Sequence, residues 1–171
     1  MRRKQLILLL GALLGVLLVA GVVLKAGVLA AHVSLPADDA GDRLAFAVRW
    51  LLVPGLTLLA GIQVAARRGF VPEAIDGTRT PANHALEINL RYNQNTLEQV
   101  VLAAIAWAGL ALSLPHGALA LIPAMAGLFA FGCAAFWIGY LIHPLGRAFG
   151  MVVTALPTLG AYVWLIWRAF H

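Results

Sequence analysis

Five long apolar runs account for most of this chain, and their length constrains the fold more than any other feature of the sequence. They cover approximately residues 5–31, 44–66, 83–114, 118–142 and 147–170. A helix needs about 20 predominantly apolar residues to cross a hydrocarbon core of ~30 Å. We therefore expect an all-α integral membrane protein that crosses the bilayer several times.

Composition narrows the function classes in the same direction. Of the 171 residues, 62% are hydrophobic and 11% are charged, whereas a soluble domain has about 25% charged residues. The net charge of +5 comes from basic residues near the ends of the runs, without the basic stripe that a nucleic-acid surface needs. We expect no nucleic-acid partner and no metal, and the single cysteine, Cys133, is expected to behave as a small hydrophobe.

The first run differs from the other four because a basic segment precedes it and a turn-rich loop follows it. Its apolar length exceeds the roughly 7–15 residues of a cleaved signal peptide. We interpret residues 1–33 as a retained transmembrane anchor helix and residues 44–171 as a membrane domain with the remaining four helices.

Lysine and arginine residues are unequally shared between the two sides of the membrane. One side collects Arg2, Arg3, Lys4, Arg67, Arg68, Arg79, Arg91 and Arg147, and the other holds Arg43, Arg168 and the three aspartates of the first loop. Cytoplasmic loops carry the excess of basic residues. The count predicts that the amino terminus and the polar part of the third run face the cytoplasm, with the carboxyl terminus on the opposite side.

The amino-terminal half of the third run carries polar groups on one face. At ~100° per residue, Glu87, Arg91, Asn95 and Glu98 share a stripe, and Gln94 points the same way. Charged groups at membrane depth are costly against lipid, so the stripe must face other helices, a subunit or a wet cavity. Two readings stay open: a structural network in which Glu87 pairs with Arg91, or a ligand cavity completed by basic groups of the neighbouring loops.

The spacing Glu87-x3-Arg91-x3-Asn95-x2-Glu98 resembles the second-helix signature of the MAPEG family, the membrane-associated proteins of eicosanoid and glutathione metabolism. Arg67-Arg68, Gly139-Tyr140 and Arg147 resemble family landmarks in the expected order. The resemblance implies a MAPEG-like four-helix bundle, with the first helix as an addition. It also implies a homotrimer that binds glutathione between subunits near the cytoplasmic face.

The resemblance further implies roles for individual residues. Arg147 would be the catalytic residue that stabilises the glutathione thiolate. Independently of the resemblance, Glu87 and Gln94 are expected to form a structural polar network. The glutathione contacts would be Arg67, Arg91, Asn93, Asn95, Glu98 and Tyr140. The expected function is a glutathione-dependent transferase or peroxidase that acts on hydrophobic electrophiles or hydroperoxides.

Gln99, Cys133 and Phe136 depart from the leukotriene-forming members of that family and argue against leukotriene synthesis. The alternative function is a non-catalytic membrane assembly or lipid-binding protein that keeps the polar stripe as a structural network. A small transporter is a weaker alternative, because transporter sites usually lie near the midplane on broken helices.

Overall fold

The computed structural model describes residues 3–72, 74–76 and 84–171, and every regular element in these ranges is helical. The helices are α1 (Arg3–Leu29), α2 (Ala40–Ala65), α3 (His84–Ser113), α4 (Leu121–Ile142) and α5 (Arg147–Phe170), with short 3-10 helices at Ala66–Phe70 and His116–Ala120. All five α-helices are long and apolar enough to cross a membrane. The predicted all-α architecture with five membrane-length helices is confirmed. Arg2 and Arg79, which were counted for orientation, lie outside the described residues.

Helix α2 begins four residues earlier than the apolar run predicts. Asp39 is the N-cap, and its carboxylate accepts the backbone N–H groups of Gly41 at 3.0 Å and Asp42 at 3.1 Å. A capping aspartate satisfies amides that have no partner inside the helix. Asp39 and Asp42, which the sequence predicts as part of a loop, therefore belong to the start of α2.

The protein core lies mainly between α3 and α4. Trp107, Leu110, Ile122 and Phe129 are almost wholly buried, and the rings of Trp107 and Phe129 pack edge to face with centroids 6.4 Å apart. Helix α4 is the most buried of the five and α1 the least. The bundle is thus built around α4, with α1 on its outside.

Helix α1 is attached through a pair of glycines four residues apart. A Cβ on Gly15 would lie 3.0 Å from the Val152 side chain and 3.2 Å from the Phe149 carbonyl of α5, and one on Gly11 would lie 3.5 Å from the Phe149 amide. Small residues at this spacing let membrane helices approach closely. This Gly-x3-Gly motif is visible in the sequence but was not predicted as a helix contact.

Helices α4 and α5 form a hairpin whose backbones touch. A Cβ on Gly139 would lie 2.5 Å from the Gly146 carbonyl oxygen, and a Cβ on Gly150 would overlap the backbone nitrogen of Phe136. The turn is closed by the Gly146 amide, which donates to the His143 carbonyl at 2.8 Å. This contact fixes the first residue of α5 against the last turn of α4.

At the opposite end of the bundle, Arg43 ties the start of α2 to the end of α3. Its Nη1 donates to the carbonyl oxygens of Ala111 at 3.0 Å and Leu114 at 2.8 Å. Its Nε donates to the Asp38 carboxylate at 3.0 Å. The last carbonyls of a helix have no partner within it. Arg43, which belongs to a different helix, supplies the hydrogen bonds that cap the end of α3.

Candidate functional site

A polar pocket of about 270 Å³ lies between α3, α4 and α5, near the α4–α5 turn. Its lining comprises Arg91, Gln94, Asn95, Glu98, Phe136, Arg147 and Met151. The structure therefore brings together five residues of the predicted site from two separate helices. Phe136 and Met151 add an apolar wall that the sequence analysis did not assign to the site.

Arg147 is positioned by the hairpin and by Tyr140. Its Nη1 donates to the Tyr140 hydroxyl at 3.2 Å, and its guanidinium carbon lies 5.0 Å from the centre of that ring. Tyr140 is buried, and its ring packs edge to face on Phe136, with centroids 5.8 Å apart. In the described ranges no carboxylate lies within 4 Å of this guanidinium. Its positive charge thus remains available to an anion.

The start of α5 adds to the positive potential around Arg147. Gly146 precedes the helix without a side-chain cap, and the first amides of a helix carry partial positive charge. Such amides favour anions such as carboxylate or phosphate at helix amino termini. The Arg147 guanidinium and the amino-terminal amides of α5 therefore both contribute positive potential at this end of the bundle.

Two side-chain pairs run along the stripe of α3. Arg91 donates to the Glu87 carboxylate at 2.8 Å, and Gln94 donates to the Glu98 carboxylate at 2.7 Å. Both pairs join residues one helical turn apart. The structural-network reading predicted the pair of Glu87 and Arg91, but it expected Glu98 to contact a neighbouring helix and not Gln94. Glu87 is not part of the pocket lining, whereas Gln94, Arg91 and Glu98 are.

Three predicted ligand contacts, Arg67, Asn93 and Tyr140, are not among the residues that line this pocket. Tyr140 lies behind the lining, where it contacts Arg147. Arg67 is exposed on the 3-10 helix after α2. Asn93 points to α2, where a Cβ on Gly61 would overlap its Oδ1, and this buried oxygen accepts no hydrogen bond from the described part of the chain. Their assignment as ligand contacts stays a prediction.

One supporting contact of the pocket depends on residues that the sequence analysis did not single out. The indole Nε1 of Trp137 donates to the Asn89 Oδ1 at 2.9 Å and joins α4 to α3. Asn89 is buried, so this hydrogen bond satisfies an amide oxygen that water cannot reach. The bond fixes the rotation of α3, and therefore the direction of its polar stripe.

The depth of the pocket follows from helix geometry. At ~1.5 Å per residue, α3 covers only ~22 Å between Glu98 and Ser113, less than the ~30 Å of a hydrocarbon core. If one boundary of the hydrocarbon core is placed at Ser113, Glu98 still lies within the thickness of the core. Gln94 and Glu98 are exposed on the single chain, and an exposed charge at membrane depth is costly against lipid.

Five helices of membrane-spanning length with a polar pocket near one end define a multi-pass membrane protein. The chain is similar to two proteins named transmembrane protein 79. The mouse protein is 31% identical over 85 residues, which are 50% of this chain and 22% of the mouse protein. The bovine protein is 30% identical over 120 residues, which are 70% of this chain and 27% of the bovine protein. The chain thus spans about a quarter of the length of these relatives.

No family model matches the chain, and no solved structure does. The predicted membership of the MAPEG family is wrong, since the relatives carry a different family name and no family model supports it. The physical reason is that positions three and four residues apart share a face on any helix. A one-sided polar stripe therefore arises in unrelated membrane helices.

Proposed function

We propose that the polar pocket binds glutathione and that the protein is a membrane transferase or peroxidase dependent on it. The observation that supports the proposal is Arg147, a guanidinium group in the pocket without a carboxylate partner among the described residues. Structural ion-pair networks neutralise their charges internally, as Glu87 and Arg91 do. Arg147 is instead left to pair with a molecule from outside the chain.

The mixture of groups around the pocket suits a peptide with charges of both signs. Glutathione has two carboxylates, an ammonium group, two amide linkages and a thiol. Arg147 matches one carboxylate, because guanidinium groups bind carboxylates strongly. Arg91 donates through Nε and Nη2 to Glu87 and would reach the second carboxylate only through its Nη1. Glu98 matches the ammonium group, and the side-chain amides of Gln94 and Asn95 match the amide linkages.

The proposed reaction starts from the thiolate. A free thiol has a pKa of about 8.5, and a nearby cation lowers it, so Arg147 would raise the nucleophilic fraction at neutral pH. In transfer, the sulfur bonds to the electrophilic carbon, the leaving group departs with its electron pair and the thiol proton passes to water. In peroxide reduction, two glutathione molecules are oxidised to their disulfide while the hydroperoxide becomes an alcohol and water. Phe136 and Met151 give the hydrophobic substrate an apolar wall.

We expect purified protein in detergent to produce the ultraviolet absorbance of the glutathione thiolate in stopped-flow mixing. Arg147→Ala should lower this signal about tenfold or more, because each pKa unit of lost cation stabilisation is a factor of ten. Arg147→Lys should restore part of it. Arg168→Ala, at the other end of the same helix, is the matched control and should leave the signal unchanged. Absence of a thiolate signal in the parent protein would contradict the proposal.

A second candidate is a non-catalytic membrane assembly, which the internal pairs of α3 favour. Glu87 with Arg91 and Gln94 with Glu98 already satisfy much of the stripe. In that case glutathione would not bind, and Arg147→Ala would lower stability without changing any ligand signal. The stopped-flow experiment, combined with equilibrium dialysis of glutathione, separates the two candidates.

We also infer that further copies of this chain cover the exposed part of the stripe, with three copies as the predicted number. The support is the cost of roughly 2.5–3.5 kcal/mol for a charged residue against lipid, which Glu98 would meet on a single chain. Helices α2 to α5 would form the assembling domain, since α1 packs on the outside of α5. Native mass spectrometry should give three times the 18.1 kDa of one chain. A purely monomeric protein would contradict this inference.

The proposed orientation, with the pocket on the cytoplasmic side, rests on the distribution of lysine and arginine. It can be tested at two open glycines, since a Cβ on Gly69 or on Gly117 would contact nothing within 4 Å. Gly69→Cys should react with an impermeant thiol reagent only after the cells are opened, and Gly117→Cys should react from outside. The reverse labelling pattern would overturn the orientation.

A further inference from the structure

A second cavity, separate from the polar pocket, lies between α1 and the rest of the bundle. It has a volume of about 400 Å³, and its walls come from α1, α3, α4 and α5, including Val19, Leu110, Met125, Pro157, Gly160 and Trp164. At ~1.5 Å per residue, the nearest lining residues of the two spaces are ~18 Å apart along α3, from Glu98 to Leu110, and ~7.5 Å apart along α5, from Met151 to Leu156. The cavity therefore extends from the middle of the bundle toward the end opposite the polar pocket, and no residue lines both spaces.

The lining of this cavity excludes water as its natural content. Among the described residues that line it, Trp164 is the one with a polar side-chain group, and none is charged. A buried water needs two to four polar partners. An empty space would forfeit the dispersion contacts of its walls, whereas the surrounding bilayer supplies hydrocarbon chains that fit them.

The cavity continues along α1 toward the membrane surface. A neighbouring cavity of about 340 Å³ shares Val23 and Leu121 with it and reaches Gly117 in the 3-10 helix before α4. Together the two spaces form a narrow groove from the bilayer interior to its edge. An extended acyl chain has this shape, whereas a compact molecule would leave one of the two spaces empty.

A cation lies beside the aromatic wall of the groove. The guanidinium carbon of Arg168 is 5.5 Å from the centre of the Trp164 ring, and Trp164 lines the groove. In the described ranges no carboxylate is within 4 Å of Arg168. Arginine is well suited to phosphate groups, and it lies one turn beyond Trp164, toward the membrane surface.

We propose that this groove is a binding site for an acidic phospholipid, with one acyl chain between α1 and the facing walls of α4 and α5 and its phosphate beside Arg168. The tail is recognised by the apolar walls, and the head by the free guanidinium group. The proposal is independent of glutathione binding, because no residue lines both this groove and the polar pocket.

The test uses the full chain, delipidated in detergent and mixed with phosphatidylglycerol or with phosphatidylcholine of the same acyl chains. Native mass spectrometry should show one retained phosphatidylglycerol, about fivefold more than phosphatidylcholine, the preference expected of one basic residue. Arg168→Gln should abolish this preference. Arg49→Gln, at an exposed position of α2, is the matched control and should keep it.

Blocking the groove tests the position of the acyl chain. Gly160 is open, since a Cβ there would contact nothing within 4 Å, so Gly160→Phe should fill the cavity and lower lipid retention about tenfold. Gly55→Phe adds the same bulk at an equally open position of α2 and should retain the lipid. Ala20→Leu narrows the groove from α1 and provides a second variant if Gly160→Phe does not fold.

Three outcomes would overturn the proposal. They are equal retention of the two phospholipids by the parent protein, undiminished retention by both Gly160→Phe and Ala20→Leu, and retention of a sterol in place of the phospholipid. If the parent protein shows the glutathione thiolate signal but retains no phospholipid, the groove is wrongly assigned. If it retains phospholipid but gives no thiolate signal, the polar pocket is wrongly assigned.

Discussion

Replacing Gly150 by alanine is expected to destabilise the protein by about 3 kcal/mol and to weaken glutathione binding. The added Cβ would overlap the backbone nitrogen of Phe136 and lie 2.5 Å from the carbonyl oxygen of Gly132. Both are main-chain atoms of α4, so no side chain can rotate away, and the two helices must separate. Overpacking of a close contact costs typically 1–3 kcal/mol. Arg147 should then lose its position beside Tyr140.

The matched control is Gly160→Ala, ten residues further along the same helix. A Cβ at Gly160 would contact nothing within 4 Å, so this variant should unfold at the temperature of the parent protein or slightly above it. Thermal unfolding in detergent, followed by circular dichroism, gives the comparison. Equal effects of the two substitutions would show that helix propensity, and not the contact with α4, governs the response.

The second large effect is expected for Arg43→Met. The substitution removes the donor that the carbonyl oxygens of Ala111 and Leu114 share, and it leaves Asp38 without its cation. An unsatisfied buried polar group costs about 1–3 kcal/mol, so we expect a loss of about 2–4 kcal/mol. The end of α3 should fray first, because its last carbonyls depend on this side chain.

Arg49→Met provides the comparison for Arg43, since both arginines belong to α2. Arg49 is exposed and forms no ion pair in the described part of the chain, so its replacement should change stability by less than about 0.5 kcal/mol. Denaturant unfolding and hydrogen exchange of the α3 amides can measure both variants. A stable Arg43→Met protein with protected amides near Ser113 would contradict the capping role.

The sequence predicts the helices well because each one has to be long and apolar to cross a bilayer. Every one of the five runs shows this length and composition. Helix α5 begins and ends where the run predicts, at Arg147 and Phe170. Helix α2 does not, because its start depends on Asp39, and an aspartate cap is composed of the same residue types as a turn.

The part of the site that lies on a single helix could be predicted from the sequence. The positions of Arg91, Asn95 and Glu98 follow from helix geometry, and all three line the pocket. The direction of Asn93 could not be inferred, because it depends on the close approach of Gly61 from α2. Likewise, the distance between Arg147 and Tyr140 is set by backbone contact between two helices, which no local pattern encodes.

Helix α5 is held on two sides by glycines that do not belong to it, Gly132 and Gly139 of α4 and Gly15 of α1. The turn that carries Phe149 and Val152 touches α1, and it directly follows the turn that presents Arg147. The outermost helix of the bundle is therefore mechanically connected to the polar pocket, although it contributes no side chain to it. A substitution in α1 that separates it from α5 would leave the helix turn that carries Arg147 supported by α4 alone.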